Sequence, residues 1–383
     1  MAQRTIPAVF MRGGTSKAIM FDGRALPAER AGWDGLFTSA MGSPDPYGRQ
    51  LDGMGGGISS LSKVCVITPS TREDADVDYT FAQVQVREAR VDYRGNCGNM
   101  SSAVGPFAVD QGLVHAEGEV ATVRIFNTNT GKLIHASFPL RDGRPNYQGE
   151  LAIPGVSGTG APIRLDFVSP GGATTGKLLP TGNPTDRLHI PGFGPIDVSM
   201  VDAANACVFV RAEDVGLSGR ELPDEIDARP DTLRRLAEIR VQASLAMGIA
   251  NTEAEARAIA IVPFIGFVSP PAAAPTLTGE AVGKDDIDLA ARVISNGQPH
   301  RALPLTISLC TAVAARIEGT VVASMLPPTT PKNGVLRLGM PSGVLTIEAA
   351  VARAPDGSWE AQSGSFYRTA RPLFSGEVHV PTM

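Results

Sequence analysis

The chain has 383 residues, enough for two domains that each bury a core of their own. Its 43% hydrophobic and 19% charged residues are typical of a folded globular protein, and a net charge of −5 without a basic block argues against a nucleic-acid partner. The chain has neither an apolar run long enough to cross a bilayer nor an apolar leader near its start, which predicts a cytoplasmic protein that makes no membrane contact.

The first predicted elements are two short strands, at residues 9–12 and 18–21, joined by a polar turn. Arg12, Ser16 and Lys17 lie at this turn and are suited to binding a carboxylate, although a solvated turn explains the same residues equally well. A glycine-rich loop over 42–60, which would let backbone approach a ligand closely, leads to the next strand.

Lys63 opens that strand, which is otherwise apolar through residue 67. An ordinary surface lysine is the usual interpretation of such a residue. A lysine partly desolvated in a cleft, however, has a lowered pKa and serves as a general base.

Residues 77–93 alternate between apolar and polar side chains with one shift of register, which predicts a single strand that either has a bulge or is buried on both faces. This strand leads to Cys97, and the spacing that follows predicts a helix over 97–109 that ends before Gly112. Pro106 should kink this helix unless the helix is short and buried. Residues 121–138 then predict a hairpin, whose turn residues Asn129 and Thr130 are either turn formers or substrate contacts.

The segment GGATTGK at 171–177 resembles a phosphate-binding loop. Leu178 stands where a magnesium-binding serine or threonine belongs, and Pro180 prevents the helix that should follow. Nucleotide binding is therefore not predicted here. The turn-rich residues 179–184 mark a domain boundary.

The second half begins with strands at 196–200 and 207–210, followed by the clearest helix of the chain at 231–247. Residues 259–268 read as a buried strand. A strand at 303–309 is predicted to lead into a helix that opens with Cys310 and Thr311, and further strands close the chain.

Cys97 and Cys310 are therefore both predicted at helix starts, where the helix dipole favours the thiolate. Two such thiols facing each other would exchange a proton at carbon, whereas buried core thiols are the plainer interpretation. The cysteines and histidines show no metal-ligand spacing, so no metal site is expected.

Several segments together resemble the PrpF family of methylaconitate isomerases, which also includes oxalomesaconate tautomerases and methylitaconate isomerases. The matching segments cover nearly the whole chain: RGGTSK (12–17), GSPDPYGRQLDGMGGG (42–57), SK (62–63), GNCGNMSSAVGPFA (95–108), FNTNTG (126–131), PTGN (180–183), PSG (341–343) and RTAR (368–371).

This resemblance implies a diaminopimelate epimerase-like α/β (α+β) fold with two similar domains, each a curved, mostly antiparallel sheet around a central helix. The expected domains are 1–186, completed by 366–383, and 187–365. The resemblance further implies a cofactor-independent isomerase acting on a small unsaturated di- or tricarboxylate such as 2-methylaconitate, with a homodimer as the expected assembly.

Site residues follow from the same resemblance. Lys63 and Cys97 match the catalytic positions, and the proton shift across an allylic system falls first to Lys63. The remaining expected contacts bind the substrate: Arg12, Ser16, Lys17, Gly98, Asn99, Met100, Asn129, Thr130, Cys310 and Thr311.

The alternatives are an oxalomesaconate-type tautomerase, a two-cysteine racemase or epimerase, and a non-catalytic tricarboxylate-binding accessory protein. Phe264 stands where the family commonly has lysine, and Met340 where it commonly has histidine. A substrate with fewer carboxylates is therefore left open.

Overall fold

The computed structural model describes residues 3–259, 261–295, 297–331 and 334–381. The chain divides into two compact units, one built from Met1–Asp166 with Tyr367–Met383 and the other from Phe167–Phe366. The boundary between Asp166 and Phe167 lies earlier in the chain than the turn-rich segment at 179–184.

In chain order, the helices and strands form a first run up to residue 168 and a second run from residue 186 onward. The first run contains β1 (Gln3–Gly13), β2 (Ser16–Asp22), α1 (Trp33–Met41), β3 (Lys63–Pro69), β4 (Val77–Val84), β5 (Val91–Asp92), α2 (Gly98–Asp110), β6 (Val120–Asn127), β7 (Lys132–Arg141), β8 (Arg144–Pro145), β9 (Leu151–Ala152), β10 (Thr159–Gly160) and β11 (Ile163–Val168). The second contains β12 (Asp186–Ile190), β13 (Gly194–Ala203), β14 (Asn205–Arg211), α3 (Pro223–Asp227), α4 (Pro230–Ala246), α5 (Glu253–Ala258), β15 (Phe264–Ser269), β16 (Ala274–Pro275), β17 (Ala281–Val282), β18 (Leu289–Ser295), β19 (Gln298–Pro299), α6 (Leu305–Arg316), β20 (Val335–Met340), β21 (Gly343–Arg353), β22 (Trp359–Arg368) and β23 (Ala370–Pro381).

The first unit is a mixed sheet in the order β23-β1-β2-β3-β4-β6-β7. The pairs β2–β3 and β4–β6 are parallel, and the other pairs are antiparallel. α2 packs on one face of this sheet against β1, β2, β6 and β7. A separate apolar cluster around Phe37 of α1 covers the other face.

α2 is buried on all sides because residues 98–108 are small or apolar, with no charged side chain among them. Gly105 lies directly against β7, where a Cβ atom would come within 2.8 Å of the Phe138 ring and 3.1 Å of the Ala136 Cβ. A bulkier residue at 105 would therefore push the helix away from its sheet.

The second unit repeats this pattern of pairing. Its strands β13-β14-β15-β18-β20-β21 alternate between antiparallel and parallel pairs in the same sequence as β1-β2-β3-β4-β6-β7. α6 corresponds to α2 in chain order and packs against β13, β14 and β21. The described residues thus form two units of similar topology, each with a mixed sheet and a buried helix.

An identical ion pair joins the parallel strands in each unit. Arg124 of β6 binds Asp76, which precedes β4, at 2.6 Å, and Arg337 of β20 binds Asp288, which precedes β18, at 2.8 Å. In both pairs the backbone N–H of the arginine also donates to the aspartate carboxylate. The repeat therefore extends from topology to individual side chains.

Several predicted elements are confirmed, among them the helices at 97–109 and 231–247 and the hairpin at 121–138. The single strand predicted over 77–93 is wrong. β4 ends at Val84 and the chain returns as β5, which pairs Gln83 with Asp92. The shift of register in the sequence marks this reversal of the chain and is not a bulge.

The strand predicted at 303–309 is also wrong, since α6 begins at Leu305 with Pro304 at its N-cap. Every residue from 305 to 315 is buried, so the sequence carries neither a helical nor a strand period. The strand predicted at 259–268 starts only at Phe264, and residue 260 lies outside the described residues. Among the described residues, no helix has the length and apolar composition that crossing a bilayer requires.

Gly105→Ala is expected to lower the free energy of unfolding by about 1–3 kcal/mol, although alanine is the better helix former, because the new methyl group overlaps Phe138. Urea denaturation measures the change. Gly32→Ala is the control, since its Cβ would lie 3.4 Å from Pro27, an ordinary contact. Equal stability of Gly105→Ala and the wild type would contradict the packing described for α2.

Candidate active site

The N-terminus of α2 is the centre of the candidate site. Cys97 is its N-cap, with φ −102° and ψ 92°, and no side-chain hydrogen bond caps the helix. The first intrahelical bond runs from the Ser101 N–H to the Cys97 carbonyl at 3.0 Å. The N–H groups of Gly98, Asn99 and Met100 precede that bond, so they lack an intrahelical acceptor and favour an anion.

Ser16 lies beside this helix start. The Cys97 thiol donates to Ser16 Oγ over 3.9 Å, and Ser16 itself is buried at the first position of β2. Cys97 is half-buried, whereas the other cysteines of the chain are fully buried. A thiol, a hydroxyl and free backbone N–H groups are thus brought together at one point.

Lys63 belongs to the same group of residues. Its side chain is only 7% exposed, and its Nζ lies 4.9 Å from the centre of the Phe81 ring. Burial lowers the pKa of Lys63 because desolvation disfavours the ammonium form, while the nearby thiol groups of Cys97 and Cys65 oppose that shift. The neutral amine that general-base chemistry requires is therefore more populated here than on a lysine in water.

Gln83 holds the Lys63 amine, and sequence reasoning missed it. Its Oε1 accepts a hydrogen bond from Lys63 Nζ at 2.5 Å, and its Nε2 donates to the carbonyls of Ser59 and Ser62. Gln83 lies directly opposite Lys63 in the β3–β4 pairing. The sequence contains no local signal for this contact, since the two residues are twenty positions apart.

Arg368 is a second residue that was not predicted as part of the site. Its Nε donates to Asn99 Oδ1 at 3.2 Å, and Asn99 Nδ2 donates to Thr15 Oγ1 at 3.1 Å. Burial lowers the pKa of Arg368 to about 9. The motif RTAR near the end of the chain was the available signal, and Arg368 ties that motif to the first turn of α2.

Arg12 and Lys17 lie apart from Ser16. The β1–β2 pairing places them opposite each other, and strand alternation turns Lys17 to the face away from Ser16. Lys17 Nζ is 5.6 Å from the Phe10 ring centre, on the side of the sheet that α1 covers. Arg12 donates to the carbonyls of Gly14 and Thr369 and so holds the shape of the hairpin.

Asn129 and Thr130 support the approach to Cys97 from the β6–β7 turn. The Asn129 side chain accepts from Phe81 N–H and donates to the carbonyls of Phe81 and Tyr93, so it bridges β4 to the segment that leads to Cys97. Thr130 donates to the side chain of Asn127 at 2.8 Å. Both side chains are engaged with the protein.

Cys310 and Thr311 belong to the second unit, and the prediction that Cys310 opens a helix is wrong. Cys310 lies in the middle of α6, fully buried, and its thiol donates to the Val201 carbonyl at 3.3 Å. Burial raises the pKa of this thiol. Thr311 donates to the Ile307 carbonyl within the same helix.

The loop at 171–177 binds a carboxylate of the protein itself, that of Asp202. The backbone N–H groups of Thr174 and Thr175 donate to the buried carboxylate of Asp202 at 2.8 and 2.6 Å, and the Thr175 hydroxyl adds a third bond. The N–H groups that a phosphate would need in this loop are therefore committed to Asp202.

Comparison with known proteins relates this arrangement to isomerases. A family model described as "PrpF protein" matches residues 3–381. The 3-methylitaconate isomerase of Eubacterium barkeri is 44% identical over 380 residues, which cover 99% of this chain and 98% of the relative. The 2-methyl-aconitate isomerase of Shewanella oneidensis is 37% identical over 99% of this chain and 98% of its own length. The 4-oxalomesaconate tautomerase of Pseudomonas putida is 36% identical over 99% of this chain and 97% of its own length.

Solved structures give the same picture of the fold. The crystal structure of methylitaconate-delta-isomerase is 43% identical, superposes with a TM-score of 0.80, and is matched over 99% of this chain and 96% of its own. A hydroxyproline epimerase from Agrobacterium vitis is only 12% identical, with a TM-score of 0.54 over 98% of this chain and 93% of its own. That second likeness concerns the fold alone, which is epimerase-like as the sequence predicted.

Iodoacetamide is expected to alkylate Cys97 more than about tenfold faster than the other cysteines of the native protein. Cys97 is half-buried, whereas burial raises the pKa of Cys65, Cys207 and Cys310 and removes their reactive thiolate. Peptide mass spectrometry after brief labelling measures the rates, and Cys97→Ser is the control that should stay unlabelled. Comparable labelling of Cys310 in the native protein would contradict its position within α6.

Proposed function

The chain belongs to the PrpF family, and from that premise we propose that it is an isomerase that moves a proton across the allylic system of a small unsaturated tricarboxylate such as 2-methylaconitate. One observation carries the proposal. A buried lysine with a lowered pKa, Lys63, shares its environment with the uncapped N-terminus of α2. Lys63 supplies the base, and the N-terminus of α2 stabilises the negative charge that removal of the proton creates on the substrate.

The reaction needs only one base. Neutral Lys63 removes a proton from a carbon next to a carboxylate, and the electron pair of the broken C–H bond moves into the conjugated system as a dienolate. The Lys63 ammonium then returns a proton to the far carbon of the allylic system, so the double bond has moved. One proton leaves and one arrives, and no electrons are gained or lost.

The negative charge of the dienolate falls at the α2 terminus in this proposal. The N–H groups of Gly98, Asn99 and Met100 donate to a substrate carboxylate, and the helix dipole adds to their effect. Ser16 and the Cys97 thiol border the same point and contact the substrate. Arg368 Nε holds the Asn99 side chain in place by donating a hydrogen bond to its Oδ1.

Substrates with two carboxylates are the nearest variant of this function, since one relative is named for 3-methylitaconate. The two-thiol racemase is disfavoured, because the Cys310 thiol is buried within α6 and its pKa is raised. The cytoplasmic location and the homodimer stay predictions from the sequence, which cell fractionation and light scattering would test.

Lys63→Met is expected to lower turnover by about 10²–10⁴-fold, the usual contribution of a general base. Proton NMR in deuterated buffer, with 2-methylaconitate, 3-methylitaconate, aconitate and 4-oxalomesaconate as substrates, follows both the shift of the double bond and the entry of deuterium. Cys310→Ser is the matched control and should retain turnover, since serine can still donate to the Val201 carbonyl. Loss of turnover in Cys310→Ser but not in Lys63→Met would favour the racemase, and binding without deuterium entry would favour an accessory protein.

The pH dependence tests the same assignment. Because the neutral amine is the active form, kcat/KM should rise with pH through the pKa of Lys63, and burial places this rise below the ordinary lysine value of about 10.4. A profile measured from pH 6 to 10 on the preferred substrate locates the rise. A rate that falls with pH over this range would contradict Lys63 as the base.

A further inference from the structure

Gln83 is among the most buried polar residues near the candidate site, at 3% exposure, and every polar atom of its side chain is engaged. Its Nε2 donates to two backbone acceptors, the carbonyls of Ser59 and Ser62, at 3.1 and 2.9 Å. A carbonyl accepts only from a donor, so the amide is fixed with Nε2 toward the backbone and Oε1 toward Lys63.

The carbonyls that hold Gln83 belong to the segment that leads to Lys63. Ser59 begins a short 3₁₀ helix, Ser59–Leu61, and Ser62 immediately precedes the lysine. Ser62 is also bound to Val84 through both its carbonyl and its hydroxyl. Gln83 therefore fixes both the amine of Lys63 and the backbone that carries it.

This contact restricts where the lone pair of the amine points. A neutral amine has two hydrogens and one lone pair, and one hydrogen is directed to Gln83 Oε1 at 2.5 Å. The tetrahedral geometry of the nitrogen then turns the lone pair away from Gln83. Without Gln83 the long side chain of Lys63 would sample several rotamers.

Other groups also face Lys63. Cys65 lies on the same strand as Lys63, and its thiol is 3.7 Å from the Tyr79 hydroxyl. Cys97 faces Lys63 from the start of α2. Phe81 lies under the ammonium, and Asp92 of β5 is opposite Gln83, one strand further away. Among these described neighbours, Gln83 alone accepts a hydrogen bond from the amine.

We propose that Gln83 is a positioning residue that holds the Lys63 amine in the orientation in which it takes and returns the proton. The role rests on the proposed function of Lys63 as the base. The contact itself is testable without any substrate.

Two variants at position 83 separate orientation from charge. Gln83→Glu keeps the size of the side chain and an oxygen toward the amine, although it loses the two Nε2 donations to backbone carbonyls. The carboxylate against the amine should raise the pKa of Lys63 by about 1–3 and move the rise of the pH profile upward by the same amount. Gln83→Leu removes the acceptor, so kcat should fall at least about tenfold while KM changes less than about twofold.

The titration of Lys63 is read from its ¹³Cε resonance in labelled protein, assigned by comparison with Lys63→Met. Gln85→Leu is the matched control, because it removes another buried amide two residues along the chain and should leave the Lys63 titration unchanged. Thermal melting of each variant shows whether it is folded.

The outcomes distinguish the two proposals. An unmoved Lys63 titration in Gln83→Glu, or a kcat within twofold of wild type in Gln83→Leu, would overturn the role of Gln83. A wild-type protein that turns over none of the substrates, with a Lys63 titration that still shifts in Gln83→Glu, would instead contradict the proposed function and support the contact.

Discussion

The burial of α2 is the constraint on which the candidate site depends. Residues 98–108 of α2 are all buried, and Gly105 allows the helix to lie against β7. Its first N–H groups keep their hydrogen-bonding capacity because Cys97 does not cap them. Lys63 is itself buried against Phe81 and Gln83 of β4, so the first unit provides both a helix start suited to an anion and a desolvated amine.

The repeated topology separates what the scaffold requires from what the chemistry requires. Both units share the order of strand pairing, the buried helix and the Asp–Arg pair between parallel strands. The strand that begins with Lys63 in the first unit begins with Phe264 in the second, and the helix that follows Cys97 has a counterpart that follows Pro304. Packing is thus common to both units, whereas the amine of Lys63 and the thiol of the N-cap residue Cys97 occur at these positions in the first unit only.

The sequence was sufficient for the features that local patterns encode. Small residues after Cys97 predicted α2, turn residues predicted the β6–β7 hairpin, and motifs along the chain indicated the family. It was insufficient where every face is buried: α6 carries no period, so Cys310 was predicted at a helix start and lies mid-helix. Contacts between distant residues, such as Gln83 with Lys63 and Arg368 with Asn99, depend on strand register and tertiary packing, which no local pattern contains.

The pairing of β1 with β23 has a consequence for how the protein is made. Strand partners from Gln3–Pro381 to Gly13–Ala370 join residues far apart in the chain, and Arg368, just before β23, reaches the first turn of α2. The first unit therefore lacks a strand and a site contact until residues 368–381 have been synthesised, whereas the second unit is one continuous segment. At about 5–20 residues per second, the ribosome needs on the order of tens of seconds to supply the missing strand. During that interval the edge of β1 that pairs with β23 has unpaired backbone N–H and C=O groups, as any strand at the edge of a sheet does.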